Sequence, residues 1–179
     1  KKNCKTILIA CHSASTAAYE LVREQMKERA KIINVIEPVI EHIQREHAHH
    51  HIGLIGTRQT INSNIYQKKL DALGLEVKLS ALATPLLVPI IEEGLSNHQI
   101  LMQTVEMYLS SEALKNIDAL ILGCTHYPLI KEAINAYYQN QVQIIDSADL
   151  TAIALKNLLI QHNLLNNSRG SSKQFYVSE

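Results

Sequence analysis

Runs of β-forming apolar residues alternate with segments of helical period along this chain, and the intervening segments are long enough to carry the chain back for another parallel strand. KTILIA (5–10) is followed by apolar residues at Ala17, Leu21, Val22 and Met26, a helical spacing expected to run over 13–30. IINVI (32–36) leads into a helix that Pro38 opens and that ends in the histidine-rich 46–51. HIGLIGT (51–57) precedes a helix through IYQKKLDALG, which Gly74 stops, and LEVKLSAL (75–82) reads as the next strand. ATPLLVPIIEEG (83–94), broken by Pro85 and Pro89, is expected to be irregular. A helix over 97–111, a buried strand IDALILGC (117–124), a helix over 128–138, a strand VQIID (142–146) and a helix over 148–161 follow; a polar loop then leads to one last short strand. Such alternation specifies βαβ units and a parallel α/β fold, in which ligands collect beyond the carboxyl ends of the strands. Cys11, Thr57 and Cys124 each close a strand and so share that edge.

The 179 residues, 46% of them hydrophobic, can bury the core of one compact domain or of two modest lobes. Seventeen basic and seventeen acidic side chains cancel, which leaves no field to attract phosphate backbones and argues against a nucleic-acid partner. No apolar stretch approaches the roughly 20 residues that cross a bilayer, and KKNCKTILIAC lacks a secretory cleavage pattern, so no membrane partner and a cytoplasmic location are expected. Three cysteines without CxxC spacing suit neither a disulfide framework nor a zinc site. Consecutive side chains diverge on a helix or a strand, so His47, His49, His50 and His51 are expected to form a solvated helix end and not a metal site.

TILIACHS and ALILGCTH correspond closely: an apolar run, a small residue (Ala10 or Gly123), a cysteine, then a histidine and a hydroxyl in swapped order. Each cysteine precedes a helix, whose dipole is expected to lower the thiol pKa and favour thiolates. A phosphatase would need an arginine six residues after its cysteine, where Ala17 and Ile130 stand, and a redox pair would normally be written CxxC. A cysteine hydrolase built on Cys124 and His126 would leave Cys11 without a purpose. Two similar acid/base groups from two related lobes suit a reaction that takes a proton from one face of a tetrahedral carbon and returns one to the other.

At these residues the sequence resembles the cofactor-independent aspartate/glutamate racemase superfamily, and within it the glutamate racemases. GCTHYP is matched without change by Gly123 through Pro128, and a CNTA motif by Cys11, His12, Ser13 and Ala14. IEPVI (36–40), IGLIGTRQTI (52–61), VPIIEEG (88–94) and IIDSA (144–148) match further landmarks in order. The resemblance implies a two-lobed α/β fold with parallel sheets flanked by helices, one lobe incomplete. Residues 1–34 and 146–179 would belong to the first lobe and 35–145 to the second. It implies interconversion of L- and D-glutamate for peptidoglycan synthesis without pyridoxal phosphate or metal, with Cys11 and Cys124 as opposed bases. His126 would support Cys124, and Glu92 would add a carboxylate. His12, Ser13, Thr57, Thr60 and Thr125 would hold the substrate. Aspartate-preferring relatives tend to carry glutamate at the position of His126, which favours glutamate as the small-molecule substrate; aspartate, another acidic amino acid, or a binding module with the same fold are the alternatives, and a homodimer is left open.

Two departures stand out. His12 and Ser13 replace the family's asparagine and threonine, and the family's DSG motif and last helix have no counterpart, so a partial chain is expected. The bland readings are a helix cap for Thr57 with Thr60, packing under the following helix for His12, a solvated carboxylate for Glu92, and a bystander role for Cys4.

Overall fold

In the computed structural model, residues 4–96, 99–166 and 173–177 are described. The chain forms β1 (Thr6–Ile9), α1 (His12–Met26), β2 (Lys31–Asn34), α2 (Glu37–Glu46), β3 (His51–Gly56), α3 (Arg58–Asn62), α4 (Ile65–Ala72), β4 (Lys78–Ala83), α5 (Leu87–Glu92), α6 (Gln99–Leu109), β5 (Ala119–Gly123), α7 (Lys131–Tyr137), β6 (Gln143–Ile145) and α8 (Ser147–Gln161). The expected α/β architecture is present as two parallel sheets flanked by helices: β1 pairs with β2, and a four-stranded sheet runs β4-β3-β5-β6.

Burial explains the larger sheet. β3 and β5 occupy its centre and are buried almost throughout, which is why they read as unbroken apolar runs. Successive side chains point to opposite faces. Ile52, Leu54, Ala119 and Ile121 join α2 and α4 in one core, while Ile55, Leu120 and Leu122 join α5, α6 and α7 in the other. β2 hands over to α2 through Asn34, whose buried Oδ1 accepts from the backbone N–H groups of Ile36 (2.7 Å) and Glu37 (2.9 Å). α8 lies along α2 and touches β5.

Three expectations need correction. Residues 87–92 of the supposed irregular segment form α5, because Pro85 precedes the helix and Pro89 falls in its first turn, where a missing N–H costs no helical hydrogen bond. Residues 173–177 form no strand. The histidine-rich end of α2 is not wholly solvated: His47 is buried, with Nδ1 2.8 Å from His50 Nδ1, and burial lowers the pKa of both His42 and His47. Of the helix expected over 97–111, residues 97 and 98 lie outside the described residues.

Candidate active site

The carboxyl ends of β1, β3 and β5 converge on a cavity of about 110 Å³. Cys11, His12, Ser13, Thr57, Cys124, Thr125 and His126 line it together with Val88 and Gly123. Seven of the nine residues singled out in the sequence therefore line one cavity, and the other two reach it through neighbours. Thr60 lies behind Thr57, and Glu92 lies beyond His126.

The two thiols differ in setting. Cys11 is the exposed N-cap residue of α1, and its carbonyl accepts from Ser15 N–H at 2.8 Å. Cys124 is buried, and burial pushes its thiol pKa up; the backbone N–H of His126 pulls it down, while charge on Cys11 and Glu92 adds to the rise. The expected lowering by a helix dipole is not what governs Cys124, because a 3₁₀ turn (Tyr127–Ile130) intervenes and the α-helix begins only at Lys131.

A chain of contacts runs outward from Cys124. Its Sγ lies 3.7 Å from His126 Nδ1, and His126 Nε2 lies 3.1 Å from Glu92 Oε1. Glu92 itself is exposed, at the end of α5. This is an imidazole held in orientation by a carboxylate, with its other nitrogen facing a thiol, an arrangement able to take a proton from sulfur and return it.

Three hydroxyls link α1, which follows β1, to the segment that follows β3. Ser13 Oγ lies 2.9 Å from Thr57 Oγ1 and 3.4 Å from Thr60 Oγ1, and the two threonine oxygens lie 3.2 Å apart. Thr57 also caps α3, accepting from Thr60 N–H at 3.2 Å, so the capping role and a place on the cavity wall coexist. Thr125 is exposed on the wall.

His12 is packed inward. Its ring is 1% exposed and stacked on Tyr66 (centroids 6.4 Å apart, planes at 20°), and both ring nitrogens are buried without a hydrogen-bond partner. Burial pushes its pKa from 6.5 down to about 4. A group whose folded pKa is depressed stabilises the fold fully above its unfolded pKa, and that stability is lost as the pH falls from about 6.5 through about 4. At about pH 4.5 the loss from His12 amounts to about 2 to 3 kcal/mol. Urea unfolding at neutral pH and at about pH 4.5 should therefore show a smaller acid loss in His12→Asn by that amount; equal losses in the two proteins would refute it.

Sequence reasoning did not single out Val88, which lines the cavity from α5, or the buried Tyr66, Tyr127 and Thr84 behind it. The VPIIEEG and GCTHYP stretches contain Val88 and Tyr127, but a side chain that acts from beneath leaves no distinctive spacing.

The Asp/Glu/Hydantoin racemase family profile matches residues 1–155. Glutamate racemase of Hydrogenobaculum sp. (strain Y04AAS1) is 42% identical over 159 residues, covering 88% of this chain and 60% of that protein. The crystal structure of a glutamate racemase from Bacillus anthracis superposes with a TM-score of 0.84 at 34% identity, over 91% of this chain and 60% of that one. Glutamate racemase of Francisella tularensis subsp. tularensis SCHU S4, solved in complex with D-glutamate, gives 0.83 at 35% identity, over 92% and 60%. This chain thus spans about three fifths of the length of each of these relatives. With a matching profile over most of its residues and close structural agreement, the chain belongs to the Asp/Glu/Hydantoin racemase family.

Proposed function

We propose that this chain carries the two-thiol site of a glutamate racemase, which interconverts L- and D-glutamate without pyridoxal phosphate. The observation that supports this most is the placement of Cys11 and Cys124, 113 positions apart in sequence (124 − 11), on one small cavity between the two sheets. In one direction Cys11 takes the α-proton as thiolate while the buried Cys124, kept protonated by its surroundings, donates to the opposite face. In the other direction Cys124 must be the base, and His126, steadied by Glu92, stands beside it to accept and return that proton. The α-carbon is a weak acid, so the carboxylate must be held by donors fixed in place before reaction; the hydroxyls of Ser13, Thr57 and Thr125 fit that role, with Thr60 steadying the first two from behind.

In this reading residues 1–34 and 146–179 belong to one lobe and 35–145 to the other. The separation of β1 and β2 into their own sheet supports the first boundary, while α8 bridges the two through its packing on α2. The reaction belongs to the cytoplasm and supplies D-glutamate for cell-wall peptidoglycan. Incubating the protein with L-glutamate in D2O should yield α-deuterated D-glutamate, with L-aspartate left at background. Binding of glutamate without exchange would instead identify a binding module, and preferential turnover of aspartate would shift the substrate.

A further inference from the structure

One buried tyrosine ties the segment that follows β5 to the segment that follows β4. Tyr127 follows His126 directly, and its side chain is fully buried. Its hydroxyl lies 2.6 Å from Thr84 Oγ1 and donates to the Thr84 carbonyl at 3.2 Å. Thr84 in turn donates twice to the carbonyl of Gly56, from its N–H at 2.8 Å and from its Oγ1 at 3.3 Å. Gly56 is paired in register with Gly123, the residue before Cys124. Backbone ladders hold the ends of β3, β4 and β5 together, and the two hydroxyls add a tie between the segment that follows β5 and the segment that follows β4.

Thr84 is also the root of the segment that delivers Glu92. From Thr84 the chain passes through Pro85 and Leu86, whose N–H donates to Tyr108 Oη at 3.2 Å, into the six-residue α5, with Glu92 at its end. Leu87 and Ile91 anchor that helix in the same apolar cluster as the Tyr127 ring. A proline and one rigid helix leave little slack between the pinned end and the carboxylate. We propose that Tyr127, acting through Thr84, is a positioning residue that holds the Glu92 carboxylate on His126 and so keeps the imidazole correctly aimed at the Cys124 sulfur. The proposal rests on the racemase reading for its role in turnover, but the geometry it asserts stands apart from turnover.

Tyr127→Phe keeps the ring and removes the hydroxyl. Loss of the pin frees Glu92 from His126, and a carboxylate that has moved away no longer adds its charge to the rise of the Cys124 thiol pKa, which favours the thiolate. Alkylation of Cys124 by iodoacetamide, followed across pH by mass spectrometry of its peptide, should become about three- to tenfold faster near neutral pH in Tyr127→Phe. Glu92→Gln should speed it similarly, and adding Tyr127→Phe to Glu92→Gln should change little more, because both act on one contact. Thr84→Val should match Tyr127→Phe, whereas Thr84→Ser, which retains the hydroxyl, should behave as the unaltered protein; this pair decides the matter if Tyr127→Phe does not fold. In turnover, kcat should fall with KM nearly unchanged. A structural hydrogen bond alone would lower the melting temperature and leave the Cys124 alkylation profile in place, and that result, or full additivity with Glu92→Gln, overturns the proposal. Absence of α-deuteration in the unaltered protein would count against the racemase reading and leave the alkylation result to decide the positioning role.

Discussion

Replacing Cys124 or Cys11 singly by serine is expected to lower racemisation of glutamate by about 10²- to 10⁴-fold, in both directions for either variant. Serine keeps the size and hydrogen-bonding capacity of the side chain but is far too weak an acid to serve as an alkoxide base near neutral pH. In the proposed mechanism each thiol serves once as base and once as acid, so neither direction can dispense with either sulfur. The settings of the two thiols sharpen the expectation: Cys124 is buried beside His126, whereas Cys11 is exposed, and among the described residues that line the cavity these are the only thiols. Substrate affinity should change far less than turnover, because the hydroxyls proposed to hold the carboxylate are untouched. Chiral separation of product with time is the measurement. Retention of full activity by either variant would contradict the assignment.

Gly123→Ala is expected to destabilise the fold by about 2 to 3 kcal/mol, a drop of about 5 to 10 °C in Tm. A Cβ there would sit 2.6 Å from the backbone carbonyl oxygen of Ile55 and 2.8 Å from Leu54 Cδ1. The side-chain terminus can move; the carbonyl belongs to the central strand β3 and cannot shift without disturbing its ladder with β4 and β5. A Cβ at Gly56, at the same level on β3, would sit 3.2 Å from the carbonyl oxygen of Gly123. The two central strands thus end on glycines where their backbones approach closely, and each glycine is followed at once by a residue of the cavity wall, Thr57 or Cys124. Strain at Gly123 would move Cys124 directly, so racemisation should fall as well as stability. Calorimetry showing an unchanged Tm would refute the packing argument.

Much of this architecture was legible because the signals were local and strong. β3 and β5 announced themselves as continuous apolar runs, since burial on both faces removes the alternation seen in half-exposed strands. The thiols were legible from their duplicated surroundings, and the strand-end rule then put them on one edge. α5 was hidden because Pro85 and Pro89 signal interruption, and only the position of Pro89 within the first helical turn makes it harmless. The setting of Cys124 is not legible in GCTHYP, because that motif does not reveal that a 3₁₀ turn delays the helix. Glu92 was found by its motif, but its contact with His126 depends on how α5 is aimed. The inward packing of His12 against Tyr66 depends on residues 54 positions apart (66 − 12), which no local pattern could pair.

The most direct test of two opposed thiols is the distribution of solvent deuterium in the first few per cent of reaction. L-glutamate is turned over in D2O, the reaction is stopped early, and the enantiomers are separated and weighed by mass spectrometry. With one sulfur on each face of the α-carbon, the D-glutamate formed carries deuterium at the α-position while the recovered L-glutamate remains almost unlabelled. Equal labelling of product and recovered substrate would mean that a single group serves both faces, and would contradict the account.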